Sequence, residues 1–158
     1  MHARWLFAIA MFVAASAVAQ NYPDRPLRMI VPFPAGGGSD AIGRIIAQKL
    51  TERLGQNMVV DNRAGAGGSI GTEAAVKATP DGYSMVLAST SEIAINPALY
   101  GKLTYDTLKD LAPVAMVASA AMVVVVAPAS GLGGIKDLLS IAKAKPGTLN
   151  VASAGNGT

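Results

Sequence analysis

A glycine-rich loop between a strand-like run and a helix is the stretch of this sequence best suited to chemistry. This glycine loop (residues 31–40) follows the apolar run Leu27–Val31 and precedes an amphipathic helix predicted over residues 41–54. The first N–H groups of a helix lack partners inside the helix, and the helix dipole adds positive partial charge there. The adjacent glycines Gly36 to Gly38 carry no Cβ that would keep a ligand from the backbone. The loop therefore predicts a main-chain site for a small anion.

Two better-known phosphate motifs do not fit the sequence. A Walker loop requires a lysine after its last glycine, and no lysine follows Gly38. A second glycine turn (residues 62–71) approaches the dinucleotide fingerprint, but Ile70 stands where a glycine is required. A tight packing turn without a ligand remains the alternative for both stretches, and for the second turn it is the favoured interpretation.

Hydroxyl side chains follow two further predicted strands. The hydroxyl turn (Ser89, Thr90 and Ser91) comes after a strand predicted over residues 83–88, and in open α/β sheets ligands bind at this end of the strands. Helix capping by Ser91 is the alternative explanation. A terminal loop (residues 153–158) repeats the pattern of small and hydroxyl residues after a strand predicted over residues 149–152.

The composition excludes several classes of chemistry. The chain has 158 residues and no cysteine, so disulfides and thiol catalysis are excluded. Its only histidine is His2, inside an N-terminal stretch that resembles a cleavable signal peptide over residues 1–19, with Gln20 as the new N-terminus. A net charge of +3, carried by scattered basic residues, is too small to indicate nucleic-acid binding.

The remaining segments alternate between strand and helix patterns. A strand is predicted at residues 58–60 and helices at residues 72–78 and 135–144. Residues 111–135 contain no charged side chain, which leaves a membrane span open. Prolines interrupt this stretch and its valines are β-branched, so two buried strands, residues 114–118 and 122–127, fit better. The predicted fold class is α/β.

Five motifs in a fixed order behind a signal peptide resemble one receptor family over essentially the whole mature chain. They are residues 31–40, 62–71, 80–83, 96–100 and 144–158. The order is similar to that of the periplasmic solute receptors of tripartite tricarboxylate transporters, the Bug receptors. The resemblance implies a two-lobed, periplasmic binding protein-like fold of the type II kind. It also implies that the protein is periplasmic, is not an enzyme, needs no cofactor, binds a small carboxylate and delivers it to membrane permease subunits.

The resemblance also implies a set of ligand contacts, made largely by main chain and hydroxyls. These are Phe33, Ala35, Gly36, Gly37, Gly38, Ser39 and Asp40 in the glycine loop, Ser89 and Thr90 in the hydroxyl turn, and Ser153, Ala154, Gly155, Gly157 and Thr158 in the terminal loop. Whether Asp40 touches the ligand or only caps backbone N–H groups stays open. No metal ligand is expected.

The expected division of the chain is a signal peptide (residues 1–19), a first lobe (residues 20–121), and a hinge strand with the start of a second lobe (residues 122–158). Receptors of the family have two lobes of ordinary domain size, so the length predicts a chain truncated within the second lobe, with impaired binding. Two alternatives belong to other classes. One is an α/β enzyme that binds a nucleotide or phosphate through its glycine loops, and the other is a membrane-embedded permease subunit.

Overall fold

A computed structural model describes residues 22–153, 155, 156 and 158, so the predicted signal peptide lies outside the described residues. Its strands are β1 (Leu27–Val31), β2 (Met58–Asn62) and β3 (Ser84–Val86). Its α-helices are α1 (Gly38–Leu54), α2 (Ser69–Val76), α3 (Asn96–Leu99) and α4 (Ile135–Ala144). Short helical turns occupy Ala66–Gly68, Ser91–Ile95 and Pro128–Ser130.

The three strands form a parallel sheet in the order β2-β1-β3. Leu27 lies opposite Met58 on β2, and Arg28 lies opposite Ser84 on β3. Because all three strands run in the same direction, they end at the same edge of the sheet, here called the carboxyl edge. The predicted α/β class and the first three strands are confirmed.

Both faces of β1 are covered. On one face, Leu27, Met29 and Val31 form a core with Ala47 of α1 and Met58 of β2. The opposite face carries Ile30, which is fully buried. This alternation follows the two-residue period of a strand, and it explains why β1 is almost continuously apolar.

Helix α1 ends in a left-handed glycine, as the sequence predicts. Gly55 has φ of 69° and donates its N–H to Thr51 O at 3.1 Å. The Thr51 hydroxyl donates to Ala47 O at 2.8 Å and accepts the Met58 N–H at 2.9 Å. This one hydroxyl therefore ties the end of α1 to the start of β2.

Helix boundaries differ from the predicted ones at the N-terminal ends. Helix α1 begins at Gly38 and α2 begins at Ser69, each three residues earlier than predicted. In both cases small residues that read as loop in the sequence form the first helical turn. Helix α4 is confirmed at its predicted bounds.

The later predicted strands are wrong for this structure. Residues 114–118, 122–127 and 149–152 contain no strand, and the predicted hinge strand is among them. Met122 is 90 % exposed and Val151 is 89 % exposed. A strand needs a neighbour for its backbone hydrogen bonds, and the described residues offer none to these segments. The proposed division of the chain at residue 122 stays a prediction.

Membrane-spanning helices were an alternative for the uncharged stretch. Among the residues that the structure describes, no helix combines the length and apolar character needed to cross a bilayer.

Gly71 of α2 lies close to the backbone that follows β1 and β2, which allows a stability prediction. A Cβ on Gly71 would lie 2.7 Å from Pro32 Cα and from Arg63 O, which are backbone atoms that cannot rotate away. We expect Gly71→Ala to lower the free energy of unfolding by about 1–3 kcal/mol in urea denaturation, as overpacking does. Gly101→Ala is the control, because a Cβ there meets nothing within 4 Å. Equal stability of the two variants would contradict this packing.

Candidate functional site

The carboxyl edge brings two of the predicted ligand loops to the same side of the sheet. The glycine loop leaves the central strand β1, and the hydroxyl turn follows β3 beside it. The crossover from β1 leads outward to β2, and the next crossover returns past β1 to β3. The strand order therefore reverses between β1 and β3, which is the position where open α/β sheets bind ligands.

Asp40 organises the glycine loop. Its Oδ2 accepts hydrogen bonds from the Gly36 N–H at 2.8 Å and from Arg44 Nε at 2.9 Å. Its Oδ1 accepts a hydrogen bond from Asn62 Nδ2 at 3.0 Å. Asn62 Nδ2 also donates to Phe33 O at 3.2 Å. Asp40 is only 4 % exposed. The carboxylate therefore joins the loop, the first turn of α1 and the end of β2.

This environment favours the ionised form of Asp40. The hydrogen bond from Arg44, followed by those from Gly36 and Asn62, lowers the pKa of Asp40 from 3.8 to about 2, against a smaller opposing effect of burial. The pKa of Arg44 is raised in return, chiefly by its hydrogen bond to Asp40. Both groups keep their charge at neutral pH.

The start of α1 presents free backbone donors. Gly37 and Gly38 are exposed, and Ala41 supplies the first helical hydrogen bond, to Gly37 O at 3.0 Å. Among the described residues, the N–H groups of Gly38 and Ser39 make no backbone hydrogen bond. The N-cap residue Gly37 offers no side chain to cap them. These groups can donate to an external anion.

The hydroxyl turn is held by Glu92. Glu92 Oε2 accepts the Ser89 N–H at 2.8 Å and the Ser89 hydroxyl at 2.6 Å, and Ser89 Oγ accepts the Ser91 N–H at 3.3 Å. The bond from the Ser89 N–H to the acid three residues later is one half of a capping box, while the Ser89 hydroxyl accepts the N–H of Ser91. Ser89 and Glu92 therefore provide the side-chain contacts at the start of the helical turn Ser91–Ile95.

Glu92 and Asn96 are buried beneath the second glycine turn. Both side chains are fully buried, and Glu92 Oε1 and Asn96 Oδ1 have no hydrogen-bond partner among the described residues. Asn96 Nδ2 donates to Gly67 O at 2.8 Å. A Cβ on Gly68 would lie 2.1 Å from Glu92 Oε1, so only glycine fits against this carboxyl group. Burial, opposed by hydrogen bonds from Ser89, raises the pKa of Glu92.

The second glycine turn is occupied by protein atoms. Besides the contacts of Gly68 with Glu92, a Cβ on Gly67 would lie 2.7 Å from Asn156 O. Gly71 approaches Pro32 in the same way. This packing accords with the interpretation favoured from the sequence, in which the turn serves close contact.

The terminal loop lies against the first part of the chain. Asn156 O accepts the Tyr100 hydroxyl at 3.3 Å. Ser153 Oγ accepts the Gly155 N–H at 3.3 Å, and the Thr158 hydroxyl donates to Gly155 O at 2.6 Å. Ala154 and Gly157, also predicted ligand contacts, lie outside the described residues. The ligand roles predicted for this loop stay predictions.

Sequence reasoning named Asp40 but missed its partners. Arg44 follows Asp40 at the i, i+4 spacing of a helical ion pair, a signal that was available in the sequence. Asn62 comes from another strand, so only the fold reveals its role. Glu92 follows Ser89 at the spacing of a capping box, which is a second signal that was available in the sequence.

Comparison with protein families decides where the chain belongs. Residues 42–158 match the family described as "Tripartite tricarboxylate transporter family receptor", TctC. The chain belongs to this receptor family. TctC receptors are solute-binding proteins, and the family assignment confirms the resemblance drawn from the five motifs.

About two fifths of the aligned residues are identical between this TctC chain and two curated relatives. It is 42 % identical over 155 residues to Protein BugT of Bordetella pertussis, covering 94 % of this chain and 48 % of the relative. It is 42 % identical to a protein of Pseudomonas sp. strain P51 from the tcbD-tcbE intergenic region, covering 98 % of this chain and 47 % of the relative. The chain spans about half the length of the curated relatives it matches.

Solved TctC-like structures share the fold. An R. palustris protein solved with adipate is 30 % identical, with a TM-score of 0.69 over 82 % of this chain and 43 % of the other. MatC from Rhodopseudomonas palustris, solved with bound malate, is 33 % identical, with a TM-score of 0.59 over 61 % of this chain and 33 % of the other. The periplasmic binding protein BugD is 42 % identical, with a TM-score of 0.54 over 56 % of this chain and 29 % of the other. The predicted periplasmic binding protein-like fold is confirmed.

The low pKa of Asp40 predicts an acid-sensitive contribution to stability. Because folding lowers this pKa from 3.8 to about 2, the stabilisation is present above pH 3.8 and is lost as the pH falls toward 2. We expect the difference in unfolding free energy between the wild type and Asp40→Asn to shrink over that interval in urea titrations. Glu52→Gln, at an exposed acid on the same helix, is the control. A difference that does not change with pH would refute this prediction.

The raised pKa of Glu92 predicts a pH dependence of stability opposite to that of Asp40. Burial raises its pKa above the ordinary value of 4.5, so its neutral form stabilises the fold below that pH, and this stability is lost as the pH rises through the raised pKa. The melting temperature of Glu92→Gln should therefore rise relative to that of the wild type as the pH increases above 4.5. If the difference in melting temperature between the two proteins did not change with pH, burial would not oppose ionisation of Glu92.

Proposed function

We propose that this protein is a periplasmic solute-binding receptor that holds a small carboxylate at the carboxyl edge and delivers it to the permease subunits of a tripartite tricarboxylate-type transporter. The observation that carries the proposal is the pair of unpartnered N–H groups of Gly38 and Ser39, which open a helix of 17 residues where the central parallel strand ends. A carboxylate accepts two such donors at once, and the helix dipole favours its charge.

Asp40 does not oppose the binding of an anion, although it is itself negative and close by. Its two oxygens are directed toward Gly36, Arg44 and Asn62, and the positive charge of Arg44 offsets its own. We therefore assign Asp40 the role of holding the glycine loop in shape. The ligand contacts are then main-chain groups of residues 35–39, with Phe33 contributing to the wall of the loop.

A second contact comes from the hydroxyl turn at the same edge, where the sequence offered both Ser89 and Thr90 as ligand contacts. The terminal loop supplies the third, through Ser153, Gly155 and Thr158 together with Ala154 and Gly157. Malate and adipate accompany two of the similar solved structures, which supports a dicarboxylate as the first ligand class to examine.

The enzyme alternative has less support. Nucleotide or phosphate binding would use the second glycine turn, but Glu92 and Asn156 occupy the space beside Gly67 and Gly68. No three His, Asp or Glu side chains within the described residues form a group that could hold a metal ion. We propose a receptor without catalytic residues of its own.

Export precedes binding in this proposal. Residues 1–19 direct the chain to the periplasm and are removed after Ala19, leaving Gln20 as the first residue. The matched relatives are about twice as long as this chain, and receptors of this fold close two lobes around the ligand. We therefore expect residues 20–158 by themselves to bind more weakly than a two-lobed receptor does.

A proline substitution tests the main-chain site. Gly38→Pro deletes one donor at the first helical position, where proline is tolerated, and Gly37 already has the extended conformation (φ −82°, ψ 173°) that proline requires of the preceding residue. We expect the dissociation constant for the best ligand to rise roughly 10- to 100-fold, because hydrogen bonds to charged groups contribute about 1.5–3 kcal/mol. Calorimetric titration of the exported protein with malate, adipate and citrate measures the change.

Gly38→Ala is the matched control. It keeps the N–H, and its Cβ meets nothing within 4 Å, so it separates loss of the donor from added bulk. Equal affinities of the proline and alanine variants would contradict main-chain binding at Gly38. If the wild type binds none of the carboxylates, the receptor proposal fails for these ligands.

A further inference from the structure

We propose that Glu92 is a positioning residue of the ligand site, which engages Ser89 and leaves Thr90 as the ligand-facing hydroxyl of the hydroxyl turn. The part of this inference that concerns the ligand rests on the proposed function. It distinguishes two neighbouring hydroxyls that the sequence pattern treats alike.

Ser89 has no free hydroxyl proton to donate to a carboxylate, because that proton is already donated to Glu92. Its hydroxyl donates to Glu92 Oε2 at 2.6 Å and accepts the Ser91 N–H at 3.3 Å. Its own N–H donates to the same Glu92 oxygen at 2.8 Å. A ligand that took the Ser89 hydroxyl would have to displace Glu92, whose side chain is fully buried.

The Thr90 hydroxyl, unlike that of Ser89, is available to a ligand. Thr90 is exposed, and the side-chain hydrogen bonds of the turn are made by Ser89, Ser91 and Glu92 and not by the Thr90 hydroxyl. It follows Ser89 at the carboxyl edge, beside the glycine loop in the strand order. Its hydroxyl can therefore donate to a carboxylate without breaking a bond within the protein.

Glu92 also fixes the hydroxyl turn against a second segment. Its carboxyl group fills the space beside Gly68, where a Cβ would lie 2.1 Å from Oε1 and 2.7 Å from Cδ. The Tyr105 hydroxyl donates to the Glu92 carbonyl at 3.3 Å. Glu92 thus sets the position of Ser89, and through it of Thr90, relative to the second glycine turn.

The structure indicates that this role needs an acceptor and not a charge. One carboxyl oxygen of Glu92 accepts both bonds from Ser89, the other has no partner, and no cation pairs with Glu92 in the part of the chain that the structure describes. The amide oxygen of glutamine can accept the same two bonds. Glu92→Gln should therefore preserve the arrangement, whereas Glu92→Ala should abolish it.

Hydrogen exchange of the ligand-free exported protein tests the positioning role without depending on any ligand. We expect the Ser89 amide to be protected in the wild type and in Glu92→Gln, and to exchange at least about tenfold faster in Glu92→Ala. If Glu92→Ala does not fold, Ser89→Ala replaces it, and loss of protection at the Ser91 amide is then expected. Unchanged exchange in the folded variants, or loss of Ser89 protection in a folded Glu92→Gln, would overturn the role of Glu92.

Calorimetric titration with malate and adipate tests the division between the two hydroxyls. Thr90→Val should weaken binding by about tenfold or more with an unchanged melting temperature, because it removes a hydrogen bond to a charged group. Ser89→Ala should lower the melting temperature and change the affinity by less than about threefold. The reverse pattern would overturn the assignment of Thr90. If no carboxylate binds the wild type, the proposed function and the assignment of Thr90 fall together, while the exchange result still decides the role of Glu92.

Discussion

The hydrogen bonds of Asp40 are the interaction on which the arrangement of the carboxyl edge depends. Through Gly36, Arg44 and Asn62 one carboxylate connects the glycine loop, helix α1 and strand β2. If the carboxylate were absent, the Gly36 N–H would lose its acceptor and Asn62 Nδ2 would keep only Phe33 O, so the loop would be held less firmly between β1 and α1. The free N–H groups are useful to a ligand only because this network holds them in one place.

The sequence predicted this half of the site because its signals are local. A short run of apolar residues predicted β1, apolar residues with a 3.6-residue period predicted α1, and glycines indicated the turn between them. The periodic face of α4 was equally informative, and its bounds were predicted correctly. The starts of α1 and α2 were predicted too late, because the small residues Gly38 and Ser69 are poor helix formers in isolation and enter the helix only in this context.

What the sequence did not predict depends on partners that are distant along the chain. Asn62 reaches Asp40 across 22 positions, a contact that exists only because β1 and β2 are adjacent. The valine-rich residues 122–127 have strong strand propensity, yet propensity alone does not form a strand without a neighbouring backbone. Their exposed side chains in this structure, such as Val125 at 81 %, show the same dependence on tertiary partners.

The two buried acids at the carboxyl edge differ in a way that bears on how a neutral backbone can recognise an anion. Asp40 lies beside Arg44 and its pKa is lowered, whereas Glu92 lies among neutral groups and its pKa is raised by burial. The charge of Asp40 is offset by Arg44, and burial disfavours ionisation of Glu92. The side chains therefore shape the loops, and recognition of an anion falls to N–H groups whose positions the side chains have already fixed.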